Sequence, residues 1–413
     1  MLTCFSIIFI IKKKNKPSSN NTRLPKSNGK WSGEEGNSAW IPDKEFVPTN
    51  KKTNPNKLSW NQISQKCGGV DRINFNDNFG LFCSVLKYPI WKKTLLMSIL
   101  FSRQNIPMGW IIMKDKLIEF CKSIHIDAVG IAPAKPYYDF ERIWKKQIER
   151  GYISGFEEKD IKKRIYPDLT LPDAKSVIVC LFPYYIGDGE DANLTKSAFS
   201  TDYHRIVKEK LEVIGHYLQE TIDNFEYKAF VDTGPFSDRY LAYKAGLGFW
   251  GINNHLITDS YGSYVFIGYL LNNFPFEADQ PLERTCIQCM ECVRKCPGQC
   301  IIGDFTINPL QCKSYITQKK QELSSREKEI IKKHSLIWGC DVCQEVCPHN
   351  RKIEKTKLKE FQENLLYHLD YEELCQLSNK AFTKKYQDRS FSWRGKNVLK
   401  RNYEIIHEIE TES

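Results

Sequence analysis

The sequence lacks the features that place a protein in a membrane or direct it out of the cell. Its 413 residues contain no apolar run of about 18 residues, so no segment could cross a bilayer as a helix. The apolar run Leu2–Ile11 is short and its lysines follow it, whereas a secretory signal carries its charges first. A twin-arginine signal is also missing. We therefore expect a cytoplasmic protein without membrane contact.

Excess positive charge is missing from most of the chain, although the formal net charge is +10. Residues 1–112 contain 17 Lys and Arg against 6 Asp and Glu, and the rest of the chain contains 43 against 44. The excess therefore belongs to this first segment, which is rich in Lys, Asn, Ser and Pro and has no sustained periodicity. We interpret residues 1–112 as an appended, poorly ordered segment, with Met113 as the natural start.

From Met113 onward, apolar patterning predicts alternating helices and strands. The uninterrupted run Ser176–Phe182 suits a strand that is buried on both faces. The segment Tyr203–Phe225 predicts a helix with Asp202 as its N-cap. This alternation favours an α/β sheet. Further strands are predicted over Ala128–Ala132, Lys228–Val231 and Tyr264–Leu271, and further helices over Lys114–Ile124 and Phe236–Lys244. Three domains follow, at 113–277 (α/β), 278–350 (cysteine-rich) and 351–413 (helical and basic).

Nine of the fifteen cysteines lie between Cys286 and Cys347. A disulfide framework would need an oxidising compartment, so metal ligands are the better interpretation. Cys286, Cys289, Cys292 and Cys296 follow the x2, x2, x3 spacing of bacterial ferredoxins and end in Cys-Pro. A second group, Cys340, Cys343 and Cys347, also ends in Cys-Pro and is one cysteine short.

These spacings predict two [4Fe–4S] clusters. Cys312 can complete the second group, with Cys300 as its competitor. Zinc knuckles are the alternative, but zinc sites usually show two separated cysteine pairs. One cluster is assigned to Cys286, Cys289, Cys292 and Cys347, and the other to Cys296, Cys312, Cys340 and Cys343. Two clusters in one fold indicate electron transfer to something held by the α/β part.

Asp232 follows a predicted strand and directly precedes Thr233-Gly234-Pro235. Ligands of open α/β sheets bind beyond the carboxyl ends of the strands, so a carboxylate here could be catalytic. It could equally cap the following helix. The residue pattern does not separate these two roles.

Residues from about Met113 to Asn402 resemble the epoxyqueuosine reductases, cobalamin-dependent iron–sulfur enzymes that complete queuosine in tRNA. Ile252 stands where many relatives carry lysine, the helical-repeat tail of many relatives is absent, and residues 1–112 have no counterpart. Besides both cysteine groups, the stretches that carry the resemblance are Ser154–Arg164, Leu171–Ser176, Asp202–His204, Val231–Gly248, Tyr261–Tyr264 and Ser392–Asn402.

The resemblance implies an α/β cobalamin-binding domain, a ferredoxin-like double-cluster domain and a short helical, basic C-terminal part. Electrons from the clusters would generate cob(I)alamin, which removes the epoxide oxygen of epoxyqueuosine at the wobble position. Asp232 would be the general acid and would also contact cobalamin. The other residues expected to line the cobalamin are Arg164, Ser237, Asp238, Arg239, Asn253 and Ser314.

The C-terminal part has the charge pattern of a nucleic-acid surface. Between Lys380 and Asn402 there are eight basic residues and one acid, with Phe391 and Trp393 interleaved. This combination suits phosphate contact together with base stacking. A solvated basic helix is the alternative, and the resemblance favours RNA. The expected tRNA contacts are Arg394, Lys396, Lys400 and Arg401.

Other protein classes share some of these features. A reductive dehalogenase also couples two clusters to cobalamin, but such enzymes typically carry a twin-arginine signal. A non-enzymatic electron carrier for another corrinoid protein would keep the clusters without needing Asp232. For the enzyme we expect a monomer that receives electrons from a donor of the flavodoxin or ferredoxin type.

Overall fold

A four-stranded sheet lies at the centre of the structure, a computed structural model that describes residues 108–409, with side chains from residue 112 onward. All of these residues fall within one compact unit. The order across the sheet is β1-β2-β6-β3, and β4 pairs with β5 in a separate hairpin. The strands are β1 (Ala128–Pro133), β2 (Ser176–Pro183), β3 (Tyr227–Val231), β4 (Phe249–Trp250), β5 (Leu256–Ile257) and β6 (Val265–Asn272).

Helices cover both faces of this sheet and form the C-terminal part. Among the described residues, no helix is both long and apolar enough to cross a membrane. The helices are α1 (Met108–Ser123), α2 (Tyr138–Glu149), α3 (Ile161–Ile165), α4 (Tyr203–Thr221), α5 (Asp238–Lys244), α6 (Glu291–Lys295), α7 (Lys313–Ile316), α8 (Ser325–Lys332), α9 (Val342–Glu345), α10 (Tyr371–Gln376), α11 (Asn379–Tyr386) and α12 (Lys396–His407).

Strand β2 joins the two cores of the sheet domain. All eight of its residues are buried, as its uninterrupted apolar sequence predicts. Successive side chains point to opposite faces, so Ile178 packs with Leu211 of α4, whereas Val179 packs with Leu241 of α5. Two layers of helices thus hold the sheet between them. The C-terminal end of β3 and the N-terminal end of α4 lie at the same end of the sheet.

The strands of the sheet pair antiparallel at every contact, β1 with β2, β2 with β6, and β3 with β6. The predicted mixture of helices and sheet is confirmed. However, the rule that ligands bind at the carboxyl ends of an open α/β sheet does not apply here. An apolar strand such as β2 needs cover on both faces, which antiparallel neighbours also allow. The sheet topology therefore does not indicate the role of Asp232, which depends on the contacts of its side chain.

The C-terminal part is helical, as predicted, and it packs on the rest of the chain. Phe382 and Leu399, both fully buried, share a core with Phe199 and Ile337. The expected ends of the three domains, at residues 277 and 350, stay predictions. Most of the appended segment, residues 1–112, lies outside the described residues.

We expect a protein that begins at Met113 to fold and to bind both clusters. It would lose the first five residues of α1 but keep Leu117 and Cys121, the two side chains of this helix that are fully buried. Iron content and turnover should match those of the full chain. A shortened protein that is insoluble or free of iron would show that residues 1–112 are needed.

Candidate active site and iron–sulfur centres

Asp232 lies directly after β3 in a left-handed backbone conformation with φ of 57°. Its side chain is 60% exposed. Two residues later the chain passes close to Tyr269, because a Cβ atom on Gly234 would lie 2.0 Å from the Tyr269 hydroxyl oxygen. Helix α5 has Ser237 as its N-cap, five residues beyond Asp232. The helix-capping role considered for Asp232 is therefore wrong.

The first turn of α4 supplies the partners of the Asp232 carboxylate. The Tyr203 hydroxyl donates to Asp232 Oδ2 over 2.7 Å, and His204 Nε2 lies 3.3 Å from the same oxygen. On its other side, His204 Nδ1 is 2.7 Å from Asp202 Oδ1. Asp202 also accepts the His204 backbone N–H, which confirms its predicted N-cap role. An Asp202–His204–Asp232 chain results.

Sequence reasoning missed the roles of Tyr203 and His204. The Asp-Tyr-His stretch contributes to the family resemblance, but the resemblance assigns no role to Tyr203 or His204. The predicted N-cap at Asp202 could have indicated these roles, because a capped first turn fixes the direction of the two side chains that follow.

This chain of contacts places a proton on the imidazole. Burial would lower the pKa of His204, but its bonds to Asp202 and Asp232 raise the pKa to about 9. Burial would raise the pKa of Asp232, but the His204 and Tyr203 bonds outweigh it and lower that pKa. At neutral pH the pair therefore consists of an imidazolium beside a carboxylate.

We expect the His204 imidazole to titrate near pH 9. Because folding raises this pKa, the interaction stabilises the folded protein fully below pH 6.5 and is lost as the pH rises through 9. Asp202→Asn should move the pKa back toward 6.5. An NMR titration of the imidazole C–H signals, assigned with His204→Gln, tests this. A wild-type midpoint near 6.5 would contradict the described contacts.

A second acidic side chain, that of Asp238, forms a hydrogen bond with the backbone of the turn that contains Asp232. Asp238 Oδ2 accepts the Asp232 backbone N–H over 3.2 Å, and its Oδ1 is buried without a hydrogen-bond partner. Burial, followed by the nearby Asp232 charge, raises the pKa of Asp238 to about 7. The buried Arg164 guanidinium lies within electrostatic range of Asp238, and its Nε also has no partner. Buried polar atoms without a partner in the protein are suited to form hydrogen bonds with a ligand.

The remaining expected cobalamin residues lie on the side of the cysteine-rich region. Arg239 is exposed and acts electrostatically on both Asp232 and His255. Asn253 is buried, and its side-chain amide donates to the Cys343 carbonyl over 3.3 Å. The Ser314 backbone N–H lies near the Cys312 sulfur, and after the Cys300 thiol it contributes to lowering the pKa of Cys312. Asn253 and Ser314 therefore connect the site to the second cysteine set.

The four cysteines assigned to the first cluster surround one cavity. This cavity is lined by Cys286, Cys289, Cys292 and Cys347 together with Ile252 and Ile257 of the β4–β5 hairpin. Ile252 is 1% exposed and also lines this cavity. A cavity lined by four thiols and by apolar side chains suits an iron–sulfur cluster.

The second cysteine set is also assembled. Burial raises the pKa of the Cys343 thiol, and the nearby Cys340, Cys312 and Cys296 thiols raise it further. Cys300 joins this group, with its sulfur 3.4 Å from that of Cys296. The eight assigned cysteines therefore lie in two neighbouring groups, with Cys300 beside the second. Within the described residues no group of three or more His, Cys, Asp or Glu side chains is spaced to hold a metal ion, so the assignment to two clusters stays a prediction.

The basic residues expected to contact tRNA are largely engaged within the protein. Lys396 Nζ donates to the Leu374 carbonyl over 3.0 Å, and Lys400 pairs with Glu404 over 3.2 Å. Arg401 donates to the Gln321 carbonyl and to its neighbour Asn402. Arg394 stacks on an exposed aromatic ring. Contacts between these four residues and tRNA stay a prediction.

Of the two aromatic residues expected to stack on bases, only one is available. Phe391 is fully buried, because it packs in the core that the C-terminal helices share, so its stacking role is wrong. Trp393 is 54% exposed, and Phe156, from the loop before α3, lies beside it and is also 54% exposed. Sequence reasoning missed Phe156, since 237 residues separate the two rings along the chain.

Comparison with known proteins places these features in one class. Residues 285–350 match the family model of the 4Fe-4S double cluster binding domain. Residues 164–233, which end one residue after Asp232, match the model described as epoxyqueuosine reductase QueG, DUF1730. The fold and these two matches define an iron–sulfur oxidoreductase.

Curated relatives and solved structures give the family. Epoxyqueuosine reductase of Bacillus subtilis is 35% identical over 305 residues, which cover 70% of this chain and 77% of the relative. The Listeria monocytogenes enzyme is 33% identical over 305 residues, with 71% and 80% covered. The chain belongs to the epoxyqueuosine reductase family.

The structural matches agree with this assignment. The enzyme of Streptococcus thermophilus superposes with a TM-score of 0.65 at 34% identity, covering 71% of this chain and 80% of that one. An epoxyqueuosine reductase solved with an epoxyqueuosine-modified tRNA-Tyr stem loop gives a TM-score of 0.66 at 33% identity, with 72% and 81% covered.

Proposed function

We propose that this protein reduces epoxyqueuosine to queuosine at the wobble position of tRNA. The observation that carries the proposal is an exposed Asp232 carboxylate coupled to His204 in a member of the epoxyqueuosine reductase family. Conversion of an epoxide to an alkene releases its oxygen as water. The reaction therefore consumes two electrons and two protons for each tRNA.

One of the two protons comes from the Asp202–His204–Asp232 chain, and the other is taken up from water at the exposed end of this chain. His204 holds a proton at neutral pH, 3.3 Å from Asp232 Oδ2. Asp232 is the exposed member, so it passes this proton on: His204 Nε2 gives the proton to Asp232 Oδ2, and Asp232 gives it to the leaving oxygen. Tyr203 keeps the carboxylate oriented through its 2.7 Å hydrogen bond.

Cobalamin fits the residues around Asp232. The buried Arg164 Nε and Asp238 Oδ1 have no partner within the protein, and both belong to residues expected to line it. Ser237, Asp238 and Arg239 would hold the cofactor from the α5 side, and Asn253 and Ser314 from the cluster side. Bound cobalamin supplies a cobalt centre that can pass two electrons to the epoxide carbon.

Two [4Fe–4S] clusters bound by the two cysteine sets would supply the electrons one at a time. Cys286 and Cys289 are partly exposed, and Ile287 between them is 61% exposed while lining the first cavity. A donor of the flavodoxin or ferredoxin type would therefore approach the cluster of Cys286, Cys289, Cys292 and Cys347. We propose that the protein acts in the cytoplasm, where modified tRNA is available. We also propose that it is a monomer.

The decisive experiment uses the full chain, reconstituted anaerobically with iron, sulfide and cobalamin. It is supplied with a reductant and with tRNA that contains epoxyqueuosine, and nucleosides are quantified by mass spectrometry. We expect queuosine to appear at the expense of epoxyqueuosine. Loaded protein that reduces its clusters but leaves epoxyqueuosine unchanged would favour the electron-carrier alternative.

A further inference from the structure

Two loops that are distant in sequence meet at an exposed aromatic surface. The Phe156 and Trp393 ring centroids lie 6.0 Å apart, with the rings at 67° to each other. The Tyr315 ring lies 5.5 Å from that of Phe156. The Arg394 guanidinium covers the Trp393 ring at 3.6 Å and the Phe156 ring at 5.4 Å. We call Phe156, Tyr315, Trp393 and Arg394 the aromatic platform.

Local hydrogen bonds hold Phe156 in its exposed position. The Glu157 carboxylate accepts the backbone N–H of Ser154 at 3.0 Å and that of Gly155 at 2.8 Å. The Phe156 N–H donates to the Ser154 hydroxyl oxygen over 3.2 Å. Gly155 adopts a left-handed φ of 85°, which a residue with a side chain rarely adopts. The loop is therefore built to present the Phe156 ring.

Trp393 is presented in a similar way. It lies in a short turn that ends at Gly395, which has a φ of 83° and donates its N–H to the Ser392 carbonyl over 2.9 Å. Arg389, just before this turn, bonds to the Phe199 and Asn364 carbonyls. Both rings are thus preorganised, and a preorganised apolar surface at the exterior suggests a ligand.

The platform lies near residues expected to line the cobalamin. Glu157, next to Phe156, lies within electrostatic range of Arg164, and so does Asp238. Tyr315 follows Ser314, an expected cobalamin neighbour beside Cys312. A ligand on the platform would therefore lie near two of the residues expected to line the cobalamin.

We infer that the aromatic platform binds an unpaired nucleobase of the tRNA anticodon loop next to the modified nucleotide. The inference rests on the proposed function and names the surface that positions its substrate. Exposed rings accept any base by stacking, and Arg394 adds a cation beside the phosphate backbone. The four basic residues expected from the sequence explain this less well, because three of them have partners within the protein.

The test measures binding of a synthetic, unmodified tRNA anticodon stem–loop to the cluster-loaded full chain. Phe156→Ala and Trp393→Ala should each raise the Kd by about 5- to 150-fold, the usual effect of one lost stacking contact. Trp393→Phe should restore most of the affinity. Tyr138→Ala is the matched control, because Tyr138 is 58% exposed and lies outside the platform.

Salt dependence separates stacking from charge. The slope of log Kd against log salt should stay unchanged in Phe156→Ala and Trp393→Ala, and should fall by about 0.7 in Arg394→Gln. Wild-type affinity in both alanine variants would overturn the platform while leaving the proposed function intact. Equal weakening by Tyr138→Ala, or weaker binding of a flavodoxin instead of RNA, would also overturn it. Wild-type protein that converts no epoxyqueuosine tRNA would refute the proposed function itself.

Discussion

Asp232→Asn should lower turnover of epoxyqueuosine tRNA by roughly 10²–10⁴-fold, which corresponds to about 3–5 kcal/mol of activation free energy. The amide keeps the size of the carboxylate and can still accept the Tyr203 hydrogen bond. It cannot give a proton to the leaving oxygen. It also removes one of the two negative charges that raise the pKa of His204 to about 9, so less of the imidazole is protonated at neutral pH.

The measurement is single-turnover conversion under anaerobic conditions, with iron content and the cobalamin absorption spectrum recorded for the same preparation. Asp115→Asn is the matched control, since Asp115 is exposed on α1 and remote from this site in sequence. We expect the control to match wild type and Asp232→Asn to retain clusters and cobalamin. Near-normal turnover by Asp232→Asn would reject its role in proton delivery.

Much of the fold follows from local patterns in the sequence. The buried strand β2, the capped helix α4 and the helical C-terminal part are all where apolar spacing and capping residues predict them. The antiparallel direction of the strands could not be predicted, because a strand such as β2 can be covered on both faces in a parallel or an antiparallel sheet. The pairing partners of a strand depend on how the chain returns between strands, which periodicity does not record.

The sequence predicts which chemical groups form the candidate site, but not which of these groups contact one another. Cysteine spacing predicts the clusters because short intervals let one loop surround a cube of iron and sulfur. The contact between Asp232 and His204 joins different elements, and so does the contact between Phe156 and Trp393. Phe391 illustrates the opposite error, because a basic context suggested exposure whereas the residue completes a core. Such contacts depend on packing between distant segments.

Backbone N–H groups near the sulfur atoms support the prediction that Cys312, and not Cys300, is the fourth ligand of the second cluster. The Cys300 thiol and, after it, the backbone N–H groups of Tyr315 and Ser314 lower the pKa of the Cys312 thiol, and the Cys296 sulfur accepts the Cys300 backbone N–H over 3.3 Å. N–H bonds to sulfur are a feature of cluster thiolates, because they offset the negative charge that the ligand carries. The described partners of the Cys300 thiol are the sulfur atoms of Cys296 and Cys312.

Cys312→Ala should therefore lose the second cluster, with iron falling from about eight to about four atoms per chain, and tRNA turnover should be abolished. Cys300→Ala is the matched control, because it removes a thiol from the same group, and it should keep both clusters. Iron and sulfide analysis with EPR spectroscopy of the reduced proteins measures the outcome. The same experiment tests the iron assignment, because stoichiometric zinc without iron in the wild-type protein would refute it. Loss of the second cluster in Cys300→Ala, with retention in Cys312→Ala, would reverse the ligand assignment.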